Sequence, residues 1–188
     1  MIILMGRAGV GKGVQSRLLA DDYGYAWIST GEILRVLVTG KRRQEMLTGK
    51  LLTDDEMIKI MGRVLELIDT KQEFVLDGFP RTVAQADWLL DQVQAGRFSV
   101  TAVFHLLADE AVVRERLLKR GRPDDYKDAI DERFREYDTV TVPIIDHFKS
   151  EAVPVHNINA QKTPEAVHRA IIDLIHARLP KVDKPFER

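Results

Sequence analysis

The chain has 188 residues, of which 45% are apolar and 30% charged, and its net charge is −1. That length suits a single domain with a sizeable core, and the near-neutral balance excludes a global field for nucleic acid or an anionic membrane, so any basic site is local. Cysteine is absent, which excludes disulfides and thiolate metal sites, structural zinc of that kind included.

In chain order, Ile2-Ile3-Leu4-Met5 reads as a buried strand rather than a basic leader with an apolar segment, so the expected location is the cytoplasm. Gly6-Arg7-Ala8-Gly9-Val10-Gly11-Lys12-Gly13 follows directly, and a helix over Gly13–Asp21 follows that. Ala26-Trp27-Ile28 is a short strand. Helices over Gly31–Val38 and Asp54–Asp69 then form an insertion from Thr30 to about Asp69. Thr53 precedes Asp54-Asp55-Glu56 as a capping box, and this acidic trio reads as helix-start charge rather than a metal site. Strands over Phe74–Leu76, Val100–Leu107 and Ala152–Val155 alternate with helices over Thr82–Gln94, Asp109–Arg120, Asp125–Tyr137 and Pro164–Leu179. Gly121-Arg122-Pro123 separates two arginine-rich helices as a very short lid or hinge within 119–125, and 180–188 reads as a flexible tail. Strands joined through helices imply a three-layer α/β fold around a parallel sheet of about five strands.

The chemistry concentrates in two places. In the glycine loop, backbone N–H groups can turn onto a phosphate, Lys12 adds a point charge, and the following helix presents its positive end to the same anion. Gly13 stands after Lys12 where many phosphate-loop proteins carry a metal-binding Ser or Thr, which points away from GTPases. The second place is Asp77-Gly78-Phe79-Pro80-Arg81 at the end of an apolar strand. Carboxyl ends of parallel strands face the binding crevice, so Asp77 suits the water shell of a nucleotide-bound Mg²⁺ and Arg81 suits a phosphate clamp. The histidines 105, 147, 156, 168 and 176 lack ligand spacing, and Trp27 and Trp88 read as packing.

Together these residues resemble the adenylate kinase family of nucleoside monophosphate kinases. Gly6 to Gly13 with Gln15 is similar to its phosphate loop. Ser29-Thr30-Gly31-Glu32-Ile33-Leu34-Arg35 is similar to its monophosphate-binding helix start, and Gly49-Lys50-Leu51-Leu52-Thr53-Asp54-Asp55 to the stretch beside the acceptor base. Asp77-Gly78-Phe79-Pro80-Arg81-Thr82 with Gln85 is the most specific element. Arg122-Pro123-Asp124-Asp125 and Arg133-Phe134-Arg135-Glu136-Tyr137 resemble the lid exit and the next helix. The resemblance implies a P-loop kinase fold and the reaction ATP + AMP ⇌ 2 ADP with Mg²⁺, in a monomer with no nucleic-acid or membrane partner. It assigns Lys12, Arg81, Arg120, Arg122 and Arg133 to catalysis. Gly9, Val10, Gly11, Lys12, Gly13, Val14 and Arg116 would bind ATP. Thr30, Arg35, Leu52, Gly78, Arg81 and Gln85 would bind AMP, and Asp77 would act on Mg²⁺ through water.

The chain departs from the pattern at Ala8, where proline is usual, at Val14, where threonine is usual, and in the lid, where Gly121 alone separates Arg120 from Arg122. A UMP/CMP kinase is the alternative within the class, and Thr30 and Gln85 argue against it. A weakly active nucleotide-binding regulatory protein is the alternative outside it, favoured by Val14 and the minimal lid. A lid excludes water from the transferring group. So short a lid leads to the expectation of appreciable ADP release from ATP in the absence of AMP, relative to full turnover. Undetectable release in that assay would refute incomplete shielding.

Overall fold

Ile2, Ile3, Leu4 and Met5 are all buried, and successive side chains serve opposite faces of one sheet. A strand covered on both faces must be apolar throughout, which is why this segment lacks alternation. The computed structural model describes residues 1–47 and 52–178. The expected tail at 180–188 and the Gly49-Lys50-Leu51 part of the acceptor-side motif lie outside the described residues.

In chain order the elements are β1 (Ile2–Met5), α1 (Lys12–Tyr23), β2 (Ala26–Ser29), α2 (Thr30–Leu37), α3 (Gly40–Leu47), α4 (Asp54–Glu66), β3 (Phe74–Asp77) and α5 (Val83–Gln94). They continue with β4 (Ala102–Leu107), α6 (Glu110–Arg120), α7 (Lys127–Glu136), a π-helical segment (Tyr137–Thr141), α8 (Val142–Ser150), β5 (Val155–Asn159) and α9 (Pro164–Arg178). The strands form one five-stranded sheet in the order β2-β3-β1-β4-β5, and every pair is parallel. The expected α/β sheet is therefore present.

Two apolar clusters flank it. Ile3, Met5, Leu76 and Val103 pack with Met61 of α4, Leu89 of α5 and Phe148 of α8. Ile2, Leu4, Val75 and Phe104 pack on the other face with Leu19 of α1, Leu117 of α6, Phe134 of α7 and Ile171 of α9. Central β1 pairs with β3 on one side and β4 on the other, so the crevice opens where the winding reverses, at the carboxyl ends of these strands. The loop 6–11 leaves β1 at that point.

Several boundaries differ from the sequence expectation. β4 begins at Ala102 rather than Val100, and α4 ends at Glu66 rather than Asp69. The last strand is Val155–Asn159, not Ala152–Val155. Ala152 has φ 56° and ends α8, with Val153 N–H donating to the Phe148 carbonyl at 2.9 Å, so the apolar Ala-Val pair caps a helix. The helix expected over Asp125–Tyr137 starts at Lys127, which leaves Asp125 before it, and then runs through a π-helical turn into α8, an element the sequence reading did not contain.

Phe104 is fully buried between α-helical layers in the strand next to β1. Phe104→Ala is expected to lower unfolding free energy by about 3–5 kcal/mol through lost transfer energy and a cavity. A lower denaturant midpoint at unchanged m-value, measured by circular dichroism, checks this.

Candidate active site

The glycine loop owes its shape to positions that reject a side chain. A Cβ at Gly9, where φ is +82°, would lie 2.6 Å from Leu117 Cγ. Gly11 is the N-cap of α1 at φ 114°, a left-handed conformation that supplies no side-chain cap. The Val14 N–H donates to the Gly11 carbonyl at 3.1 Å, and the first turn of α1, on residues that border the cleft, presents its positive end there to an anion. Lys12 folds back over the loop, and its Nζ donates to the carbonyls of Gly6 at 2.7 Å and Arg7 at 3.0 Å. Burial pulls its pKa down to about 8, with Asp77 opposing and Arg81, Arg120 and Arg133 adding to the fall.

β3 ends in Asp77, level with Leu4 of β1 and Ser29 of β2. Its carboxylate reaches over the start of α1, where a Cβ on Gly13 would be 3.5 Å from Asp77 Oδ2. Burial pushes the Asp77 carboxyl up against the pull of Lys12 and Arg81. After Asp77 the chain turns so that Arg81 Nε donates to the Gly78 carbonyl at 2.9 Å. Thr82 caps α5, accepting from Gln85 N–H at 3.2 Å.

The short connection between α6 and α7 is organised by one carboxylate. Asp125, with a side chain 0% exposed, accepts from Arg120 Nε at 2.8 Å and Nη2 at 2.7 Å. It also accepts from Arg133 Nη2 at 3.1 Å and from Arg122 N–H at 3.1 Å. Burial alone would raise the Asp125 pKa, but these bonds outweigh it and hold the carboxyl below its ordinary value. Arg133 Nη1 donates to Asp124 at 2.8 Å. Across the cleft, Glu32 Oε1 accepts from Arg35 at 2.6 Å and from Arg122 at 3.2 Å.

Every residue assigned from the sequence except Thr30 lines one cleft of about 810 Å³. Thr30 is 1% exposed and its hydroxyl donates to the Gly78 carbonyl at 2.9 Å, so it supports the turn behind the cleft. Arg116 borders the cleft with its Nη1 donating to the Ala160 carbonyl at 2.9 Å. Trp27, read from the sequence as packing, also lines the cleft, with the Arg17 guanidinium 5.8 Å from its ring centre. Trp88 does pack, edge-on to Phe79 at 5.9 Å.

Sequence reasoning missed four partners. In the sequence Glu32 and Asp125 stand only as members of motifs, Asp54 also as helix-start charge, and Arg7 only as a loop position. Arg7 donates to both oxygens of Asp138 at 2.7 and 2.8 Å and lies 5.3 Å from the Phe134 ring centre. No local pattern announces a partner 131 residues away.

So many cations behind a glycine loop, in a chain of net charge −1, mark a P-loop phosphotransferase, an enzyme that moves a phosphoryl group between bound anions. Comparison with known proteins narrows the class. The sequence model of adenylate kinase matches residues 4–153. The chain is 35% identical to an adenylate kinase of Corynebacterium urealyticum over 177 residues, covering 91% of this chain and 96% of that one. It is 35% identical to one of Prochlorococcus marinus, covering 90% and 95%, and 34% identical to one of Rhodopirellula baltica, covering 95% and 96%. The chain belongs to the adenylate kinase family and is an ATP:AMP phosphotransferase. None of these matches favours a UMP/CMP kinase or a regulatory protein. No helix among the described residues is long and apolar enough to cross a membrane.

Lys12 contributes its charge only below its pKa. In the free enzyme, kcat/KM for ATP is therefore expected to fall as pH rises through about 8, read from initial rates at AMP held well below its KM.

Proposed function

We propose that ATP + AMP ⇌ 2 ADP proceeds by direct in-line transfer, with ATP on the glycine loop and AMP beneath the helical insertion of residues 30–69. The reading is carried by one observation: Lys12 on the loop side and Arg35 and Arg81 on the α2–β3 side border the same cleft, with Arg120, Arg122 and Arg133 also on its wall. Two phosphate-bearing ligands need two cationic compartments and a third set of charges for the group in transit.

In this reading Gly9, Val10, Gly11, Gly13 and Val14 supply backbone contacts to the ATP phosphates, and Arg116 lies beside its adenine. Arg35 and Arg81 hold the AMP phosphate. Leu52 and Gly78 wall the acceptor base, Gln85 reads its edge, and Thr30 backs the pocket through Gly78. Asp77 would hold the water shell of an ATP-bound Mg²⁺. One oxygen donor beside the loop suits an ion carried by the nucleotide. Among the described residues no group of three or more His, Cys, Asp or Glu is arranged to hold a metal unaided. When bound, Mg²⁺ neutralises phosphate charge. A monomer in the cytoplasm with no nucleic-acid partner completes the proposal.

Lys12, Arg81 and Arg122 act mainly on charge that develops during transfer. Lys12→Met, Arg81→Ala and Arg122→Ala should each lower kcat by about 10²–10³-fold while raising the KM for ATP far less. A large rise in KM at nearly constant kcat would refute that assignment. A panel of AMP, CMP, UMP and GMP as acceptors tests the choice of AMP.

A further inference from the structure

The acidic trio at the start of α4 reads as helix-start charge, yet Asp54 has a different job from its neighbours. Its Oδ1 accepts from Gln85 Nε2 at 2.8 Å and from Thr82 Oγ1 at 2.7 Å, joining the first turn of α4 to that of α5. The other end of the same amide, Gln85 Oε1, accepts the Arg81 backbone N–H at 2.9 Å. Gln85 is 2% exposed and borders the cleft.

Both partners have fixed polarity. A carboxylate can only accept and a backbone N–H can only donate. The Gln85 amide therefore has one permitted orientation, nitrogen toward Asp54 and oxygen toward Arg81. A primary amide carries two N–H donors and two oxygen lone pairs, so one of each remains for a ligand.

That pairing matters for a purine. A 6-aminopurine offers a donor at its 6-position and an acceptor at N1, whereas a 6-oxopurine reverses both. A freely turning glutamine serves either base by rotating its amide. We propose that Asp54 is a specificity-determining positioning residue: by holding the Gln85 amide in one orientation, it makes the acceptor site select a 6-aminopurine monophosphate over a 6-oxopurine one. The inference rests on the reading, given above, that Gln85 faces the acceptor base.

With the amide fixed, a 6-oxopurine sets N–H against N–H and oxygen against oxygen. If the amide turns instead, its oxygen meets the Asp54 carboxylate and its NH₂ meets the Arg81 N–H. Either outcome leaves polar groups unpaired in a site almost closed to water, where the full desolvation cost is felt. Sites built on such hydrogen bonds discriminate far more strongly than apolar pockets do.

Inosine monophosphate is the probe, since its 6-oxo, N1–H edge carries no added 2-amino group. kcat/KM for AMP and for inosine monophosphate is measured in the unaltered enzyme and in Asp54→Asn, Asp54→Ala and Gln85→Ala. In both Asp54 variants the AMP-to-inosine-monophosphate ratio should fall at least about tenfold, with the inosine monophosphate value itself rising. Either variant suffices if the other fails to fold. Equal losses for both acceptors, at an unchanged ratio, would overturn the proposal, because a merely structural Asp54 weakens both alike. If Gln85→Ala shifts the ratio and the Asp54 variants do not, base reading stands and the orientation lock is wrong. If Gln85→Ala leaves the ratio unmoved, Gln85 does not read the base and both ideas fall.

Discussion

Like charges gathered around one cleft repel each other, and the arrangement of this enzyme follows from how that repulsion is contained. Two unit charges 4 Å apart interact by about 4 kcal/mol at the effective dielectric typical of a protein surface. Lys12 and the arginines at 35, 81, 116, 120, 122 and 133 all border the cleft. Carboxylates are interleaved with them: Asp125 between Arg120 and Arg133, Asp124 on Arg133, Glu32 between Arg35 and Arg122. Asp125 is the most committed of these, being fully buried and bonded to two guanidinium groups and a backbone N–H. Removing it would leave its partners as uncompensated neighbours, which is why a buried partner is costly to lose even where the pair itself adds little stability.

The same containment explains how so brief a connection between α6 and α7 still presents an arginine. Gly121 ends α6 in a left-handed turn at φ 65°, and Asp125 fixes both the last residue of α6 and the Arg122 backbone. Arg122 then reaches Glu32 on α2, so this connection and the start of α2 already touch. Glu32 offsets the charge of both Arg35 and Arg122 there. The cleft is thus poised for anions without the full penalty of bare, crowded cations.

Legibility in the sequence followed the range of the interactions. β1 and β3 were readable because both faces are buried and the runs are continuously apolar. β5 was not, since only Ile158 of Val155–Asn159 is buried, while the apolar Ala152-Val153 belongs to the end of α8. The π-helical turn at Tyr137–Thr141 leaves no periodic trace, so α8 went unseen behind it. In the site, the glycine loop and Asp77-to-Arg81 were legible because their chemistry is local in sequence. The pairs that orient them join residues 31, 90 and 131 positions apart: Asp54 with Gln85, Glu32 with Arg122, and Arg7 with Asp138. A single sequence carries no mark of such meetings. Thr30 is plain in its motif, but the bond from its hydroxyl to the Gly78 carbonyl, 48 residues on, carries no mark in the sequence.

The Arg7 clasp has a bearing on the order in which the molecule comes into being. β1 leads the chain, yet it sits between β3 and β4 and needs both to be covered. The loop that follows it and the helix behind it are held from still farther away, the loop by Asp138 through Arg7 and α1 by the Pro164 carbonyl through Gln15, 131 and 149 residues downstream. During synthesis the glycine loop is therefore made well before Asp138 and Pro164, the residues that anchor it and the helix behind it.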